Sequence, residues 1–190
     1  SDVCSSDLKV AFKIGRLTSV KALEEAMLGE RNIFLATQLD ASVDDPNTDE
    51  IHTIGTIGRI LQAQKQENGQ IKVVVEGRER GAAVRVDQDE DGMFFAQVRR
   101  ISSVDDSGPQ TDALLQKLGG LVEQLLRISP DAYSDALHSS LRGISAAQVS
   151  DSMASHLRIS VDEKQELLET FSVPERLAFL VETLETEIER

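Results

Sequence analysis

With 190 residues, 40% of them apolar and 28% charged, the chain can bury a real core in one domain or two small ones, and wholesale disorder is excluded. The net charge is −13, yet residues 51–104 hold eight Lys/Arg against seven Asp/Glu, so the acid lies on either side of a nearly neutral middle. That balance excludes a general nucleic-acid binder, which needs clustered positive charge. No apolar run approaches the roughly eighteen residues of a membrane span. The only cysteine is Cys4, so neither an intrachain disulfide nor a cysteine-built metal site is available.

Residues 1–8, SDVCSSDL, begin with Ser, repeat Ser-Asp and lack the apolar stretch of a signal peptide. They read as a non-native leader. The native pattern begins with a strand in which Leu8, Val10, Phe12 and Ile14 alternate with smaller or polar residues. A short helix over Thr18 to Leu28 follows, with Val20, Leu23 and Met27 on one face and Gly29 as its C-terminal stop. Asn32 to Gln38 reads as a buried strand. The acidic segment LDASVDDPNTDEIH then forms a loop, because Asp-Asp-Pro suits neither a helix nor a central strand.

Ile54 to Lys65 and Ile71 to Glu76 are expected to form a hairpin around Glu67-Asn68-Gly69-Gln70, with Asn-Gly as the central pair of a type I′ turn. Ala82 to Asp87 and Met93 to Ile101 make a second pair. The charged run Glu76, Arg78, Glu79, Arg80 between them is expected to guard an edge strand as alternating surface charge, the alternative being an interface. Met93-Phe94-Phe95 is apolar at consecutive positions, so one ring of Phe94 and Phe95 must face away from the core. The outward ring is expected to be covered by the helical half of the chain, the alternative being an apolar contact surface. Six strands and one helix point to a small antiparallel sheet or barrel.

The segment 105–110, DDSGPQ, is polar and aperiodic, and it divides residues 9–104 from a helical part, residues 111–190. A first helix over Thr111 to Ile128 is expected to weaken or bend at Gly119-Gly120. Ser129 is expected to cap a second helix with Pro130 at its first position. Ser145 with Gln148, Ser160 with Glu163 and Ser172 with Glu175 each fit a capping box, in which two side chains satisfy each other's backbone N–H. The last helix carries Leu177, Val181, Leu184 and Ile188 at spacings of four, three and four, a seam for packing and a candidate assembly surface. It reaches Arg190 with no stop signal, which suggests a long helix cut short.

Three stretches carry a family resemblance. The run ASVDDPNTDEIHTIGTIGRILQ (41–62), the strand QIKVVVEGRER (70–80) and the block ASHLRISVDEKQELLETFSVPERLAFLVETLETEIE (154–189) resemble, in order and spacing, the N-terminal domain of bacterial Lon proteases. The resemblance covers about residues 9–190. It implies an α+β fold, a small antiparallel PUA-like β pseudo-barrel followed by an α-helical bundle that ends in a truncated long helix. It also puts an apolar first strand where residues 1–8 stand.

The chemistry of the parent enzyme has no counterpart in these residues. No lysine precedes Ser or Thr, so there is no P-loop. There is no G-x-S-x-G elbow, and the family's Ser-Lys dyad is missing. His52, His138 and His156 do not share metal-ligand spacing, and structural roles are expected for all three. Asp44, Asp45, Asp49 and Glu50 surround Pro46 without the Gly of a calcium loop, and Asp87, Asp89, Glu90 and Asp91 read as a charged hairpin tip. The resemblance implies a cytoplasmic, non-catalytic, client-binding part of a homohexameric ATP-dependent serine protease in protein quality control. Its clients would be unfolded or damaged proteins, met at Phe94 or Phe95. No catalytic, cofactor or metal residue is expected in this chain, ATP and magnesium being needed by the parent alone, and neither nucleic acid nor membrane is an expected partner. The alternative is a stand-alone binding module of the same fold. RNA binding, suggested by the barrel type alone, is disfavoured by the acidic charge.

Overall fold

The computed structural model describes residues 9–102, 108–130, 135–142 and 145–190. They form two compact units that part between Ile101 and Ser102. Of the expected linker, residues 105–107 lie outside the described residues, whereas Pro109 and Gln110 already belong to the first helix of the second unit.

The first unit holds β1 (Lys9–Ile14), α1 (Leu17–Leu28), β2 (Asn32–Leu35), β3 (Ile54–Lys65), β4 (Ile71–Gln88) and β5 (Phe94–Ile101). All strands pair antiparallel in the order β1-β4-β3-β2, and β5 also pairs with β4. At Arg80 to Ala82, β3 and β5 both pair with β4, so β5 must use the edge opposite β3. That is the edge β1 uses at Ile71 to Glu76, and β1 and β5 therefore lie in tandem. The core is Leu23 of α1 with Ile60, Ile71, Val73 and Val75, and Phe12, Ile14, Val20 and Met27 pack around it.

Two strands expected to be separate are one. Residues 77–81 do not break the ladder, and β4 runs unbroken for 18 residues. Up to Gly77 the odd-numbered residues face inward. Arg78 is then an extra residue opposite the Ile57–Gly58 step of β3, and this bulge reverses the parity. Arg80 is carried to the interior as a result, 3% exposed and opposite the fully buried Thr56. The charged run thus lies within a strand that has neighbours on both sides and does not guard an edge. Glu76 pairs with Arg78 at 2.9 Å, and Glu79 reaches Arg100 of β5 at 3.4 Å.

β4 also cannot be straight. Extended, it would span about 60 Å, while α1 is only about 18 Å long. Yet α1 packs Leu23 near Ile71 at one end of β4 and sets Lys21 3.7 Å from Asp91, just beyond the other. Bulges at Ile57/Gly58, Ile60/Gln62 and Ala83/Arg85 supply the bending. The sheet coils but stays open among the described residues. The expected barrel is not closed.

The turn at Asn68-Gly69 differs from expectation in type, and the turn at Asp91-Gly92 is built the same way. Gly69 has φ +84 and Gly92 φ +85, but Asn68 and Asp91 are not left-handed, so neither turn is type I′. Each is a three-residue loop. Gly69 N–H donates to Gln66 O, and Gly92 N–H donates to Asp89 O, with the glycine as the left-handed residue after a type I turn. At the end of α1, Gly29 accepts no left-handed role either; its φ is −104, and Arg31 takes the positive φ of 65. β2 is shorter than expected, with Gln38 forming only a single bridge to Ile51.

The Thr56 hydroxyl is fully buried with no hydrogen-bond partner among the described residues. Thr56→Val exchanges that hydroxyl for a methyl of similar size. It is expected to stabilise the first unit by about 1 kcal/mol, read as a raised midpoint in urea unfolding. A lowered midpoint would mean that the hydroxyl is satisfied.

The second unit comprises α2 (Pro109–Ile128), α3 (Asp135–Ser139), α4 (Ala146–His156), α5 (Val161–Glu169) and α6 (Val173–Glu189). α2 is continuous through Gly119-Gly120 because Thr111, Leu118, Val122 and Leu125 are buried on both sides of the pair. Ser129 closes α2, its N–H donating to Leu125 O; the helix start expected behind it, at residues 131–134, falls outside the described residues. Ser160 and Glu163 form both halves of their capping box, whereas Ser145 and Ser172 accept from the N–H groups of Gln148 and Glu175. α6 lies along α2 and against α4. Leu177 and Leu184 are fully buried there, Val181 is 6% exposed, and only Ile188 remains half-buried. The candidate assembly seam is therefore largely spent on the unit's own core.

Candidate functional site

The first unit carries an open apolar surface. α1 crosses the start of the β3–β4 hairpin and leaves a groove of about 300 Å³ lined by Leu23, Met27, Leu28, Ala63 and Ile71. Glu24 and Lys65 stand at its rim, 4.0 Å apart and mostly solvated. Their exposure makes this pair worth little to stability. Leu28, 86% exposed, is the last residue of α1 and lies at the groove mouth. The helix stops there, so no following turn shields the side chain.

The ambiguity between Phe94 and Phe95 is resolved by the register of β5. Phe94 is half-buried opposite Gln88, and Phe95 is 50% exposed opposite Asp87. Val84, the extra residue of the Ala83/Arg85 bulge, is 67% exposed. Periodicity identified the pair of rings but not the outward one. Leu28 and the groove carried no motif at all.

The charged groups are engaged locally. Asp89 Oδ1 accepts from the N–H groups of Asp91 and Met93, and Asp87 pairs with Arg85 at 2.8 Å. In the acidic loop, Asn47 and Glu50 cap a short 3-10 turn. The Ser42 hydroxyl and N–H donate to Asp40 and hold its carboxyl below the usual range. Among the described residues, no three His, Cys, Asp or Glu side chains could hold a metal. His156 is exposed in the last turn of α4, where a positive charge would oppose the helix dipole favourably. His138 lines a shallow groove of the second unit with Arg127 and Arg142, and His52 lies at a loop–strand junction. No helix among the described residues is long and apolar enough to cross a membrane.

Comparison with known proteins places this architecture. The family described as the ATP-dependent protease La (LON) substrate-binding domain matches residues 7–186. Lon protease of Solibacter usitatus is 43% identical over 179 residues, which are 94% of this chain and 22% of that protein. Lon protease 1 of Bacillus subtilis is 35% identical over 176 residues, 93% of this chain and 23% of that protein. The chain thus spans about a fifth of the length of these relatives. Among solved structures, the N-terminal domain of Mycobacterium avium complex Lon protease superposes with a TM-score of 0.76 at 18% identity, covering 95% of this chain and 91% of that one. The Lon N-terminal domain protein from Xanthomonas campestris gives 0.64 at 17%, covering 93% and 90%. Identities this low speak to the fold, and the sequence matches speak to descent: the chain belongs to the Lon substrate-binding domain family.

Proposed function

We propose that this chain is the client-recognition part of a cytoplasmic ATP-dependent Lon serine protease, binding unfolded or damaged proteins without catalysing their cleavage and helping to organise a hexamer. The observation that carries the reading is the apolar groove under α1 with Leu28 exposed at its mouth. A groove of this size takes one aliphatic or aromatic side chain. Folded proteins bury such side chains, so unfolded ones are favoured without sequence selectivity. One contact of this kind is weak, and six copies held together would raise capture through effective concentration. The sequence carries no P-loop, and on this reading ATP and magnesium are assigned to the remainder of the parent protein.

The test is capture of a denatured client by the chain, free and fused to a hexameric carrier. Fusion is expected to strengthen capture at least severalfold, and Leu28→Asp with Phe95→Ser is expected to abolish most of that gain while leaving the circular dichroism unchanged. The reading fails if fusion brings no gain, if folded client binds equally well, or if the double variant captures as the parent does.

A further inference from the structure

β5 offers its second edge to no strand among the described residues. The extra residue of the nearby bulge, Val84, is on β4, so β5 itself is regular over its eight residues. Such an edge is a template for another strand, because its outward N–H and C=O groups have no ladder partner among the described residues. Its sequence, FFAQVRRI, has two rings at one end and two cations at the other. Phe95, Gln97 and Arg99 share the exposed face, while Phe94, Ala96 and Val98 share the half-buried one.

We propose that this edge pairs with the same edge of a second copy of the chain, antiparallel and with Gln97 opposite the partner's Gln97. A two-fold axis perpendicular to a sheet requires a residue to face itself, and it keeps the exposed face of one copy continuous with that of the other. Centring on Gln97 places Phe95 opposite the partner's Arg99 and Phe94 opposite the partner's Arg100. Both rings then meet a guanidinium across the ladder, a favourable cation–π arrangement. Centring one residue earlier leaves the arginines opposite Gly92 and Met93; centring one later sets them opposite Gln97 and Ala96. The overall charge of −13 does not prevent the approach, because residues 51–104, which include β5, are close to neutral and more distant charges are screened at physiological salt.

The inference does not use client binding, and its test contains no client. Sedimentation of the full chain over a range of concentrations should show a monomer–dimer equilibrium. Gln97→Lys and Gln97→Glu are exposed substitutions that put like charges face to face on the axis, and each should raise the dimer dissociation constant about tenfold or more. Mixed together, the two variants should form a heterodimer at least as tight as the parent dimer. A parent chain that stays monomeric at high micromolar concentration overturns the proposal. So does a dimer that both variants retain, or a mixture of variants that stays monomeric.

Discussion

Arg176→Ala is expected to destabilise the helical unit by about 3–5 kcal/mol, a large share of the roughly 5–15 kcal/mol that holds an ordinary domain folded. Arg176 lies in α6 with no exposed surface. Its Nε donates to Ser150 Oγ on α4 at 3.3 Å, and its Nη1 donates to the carbonyl oxygen of Thr170, the residue that closes α5, at 3.0 Å. One guanidinium thus ties three helices together where α6 begins. Truncation removes the hydrogen bonds, strands the Ser150 and Thr170 acceptors and leaves a cavity. Arg176→Met keeps much of the volume and should cost less than the alanine variant. Hydrogen exchange resolved by residue checks this, with protection lost together in α4, α5 and α6. A loss below about 1 kcal/mol for the alanine variant would show that the guanidinium is not a structural tie.

Gly55→Ala is expected to cost the β unit about 3 kcal/mol. A Cβ at Gly55 would overlap the backbone carbonyl oxygen of Leu35 and come within 2.7 Å of Phe34 Cζ. No rotamer change moves a carbonyl, so β2 must draw away from β3 and the Leu35–Thr56 and Phe34–Ile57 pairs open. Gly120→Ala is the matched control. That position is exposed in α2 with open space around its Cβ, so the same substitution should stabilise by about 0.5–1 kcal/mol. Urea unfolding of the two variants should move in opposite directions. Equal shifts, or a neutral Gly55→Ala, would contradict the close approach of β2 to β3.

What the sequence determined by itself was whatever a few neighbouring residues decide together. The Ser160–Glu163 box closes over three residues, and the hairpin around Asn68-Gly69 was visible because a glycine must supply the positive φ. Descent was legible too, as ordered motifs across most of the chain. The turn type was not, since Asn-Gly serves either a two-residue or a three-residue loop and the strand register chooses between them. The tertiary structure alone joined 77–81 into β4 and turned Arg80 inward, because a bulge depends on a partner strand some twenty residues away in sequence. It alone turned Phe95 outward and filled the seam of α6 with α2, which lies more than fifty residues earlier in the chain. The groove beneath α1 was invisible for the same reason. Leu23 and Ile71 meet because β1, which leads into α1, pairs with the start of β4 and sets Ile14 opposite Ile71, and nothing in either segment records the other.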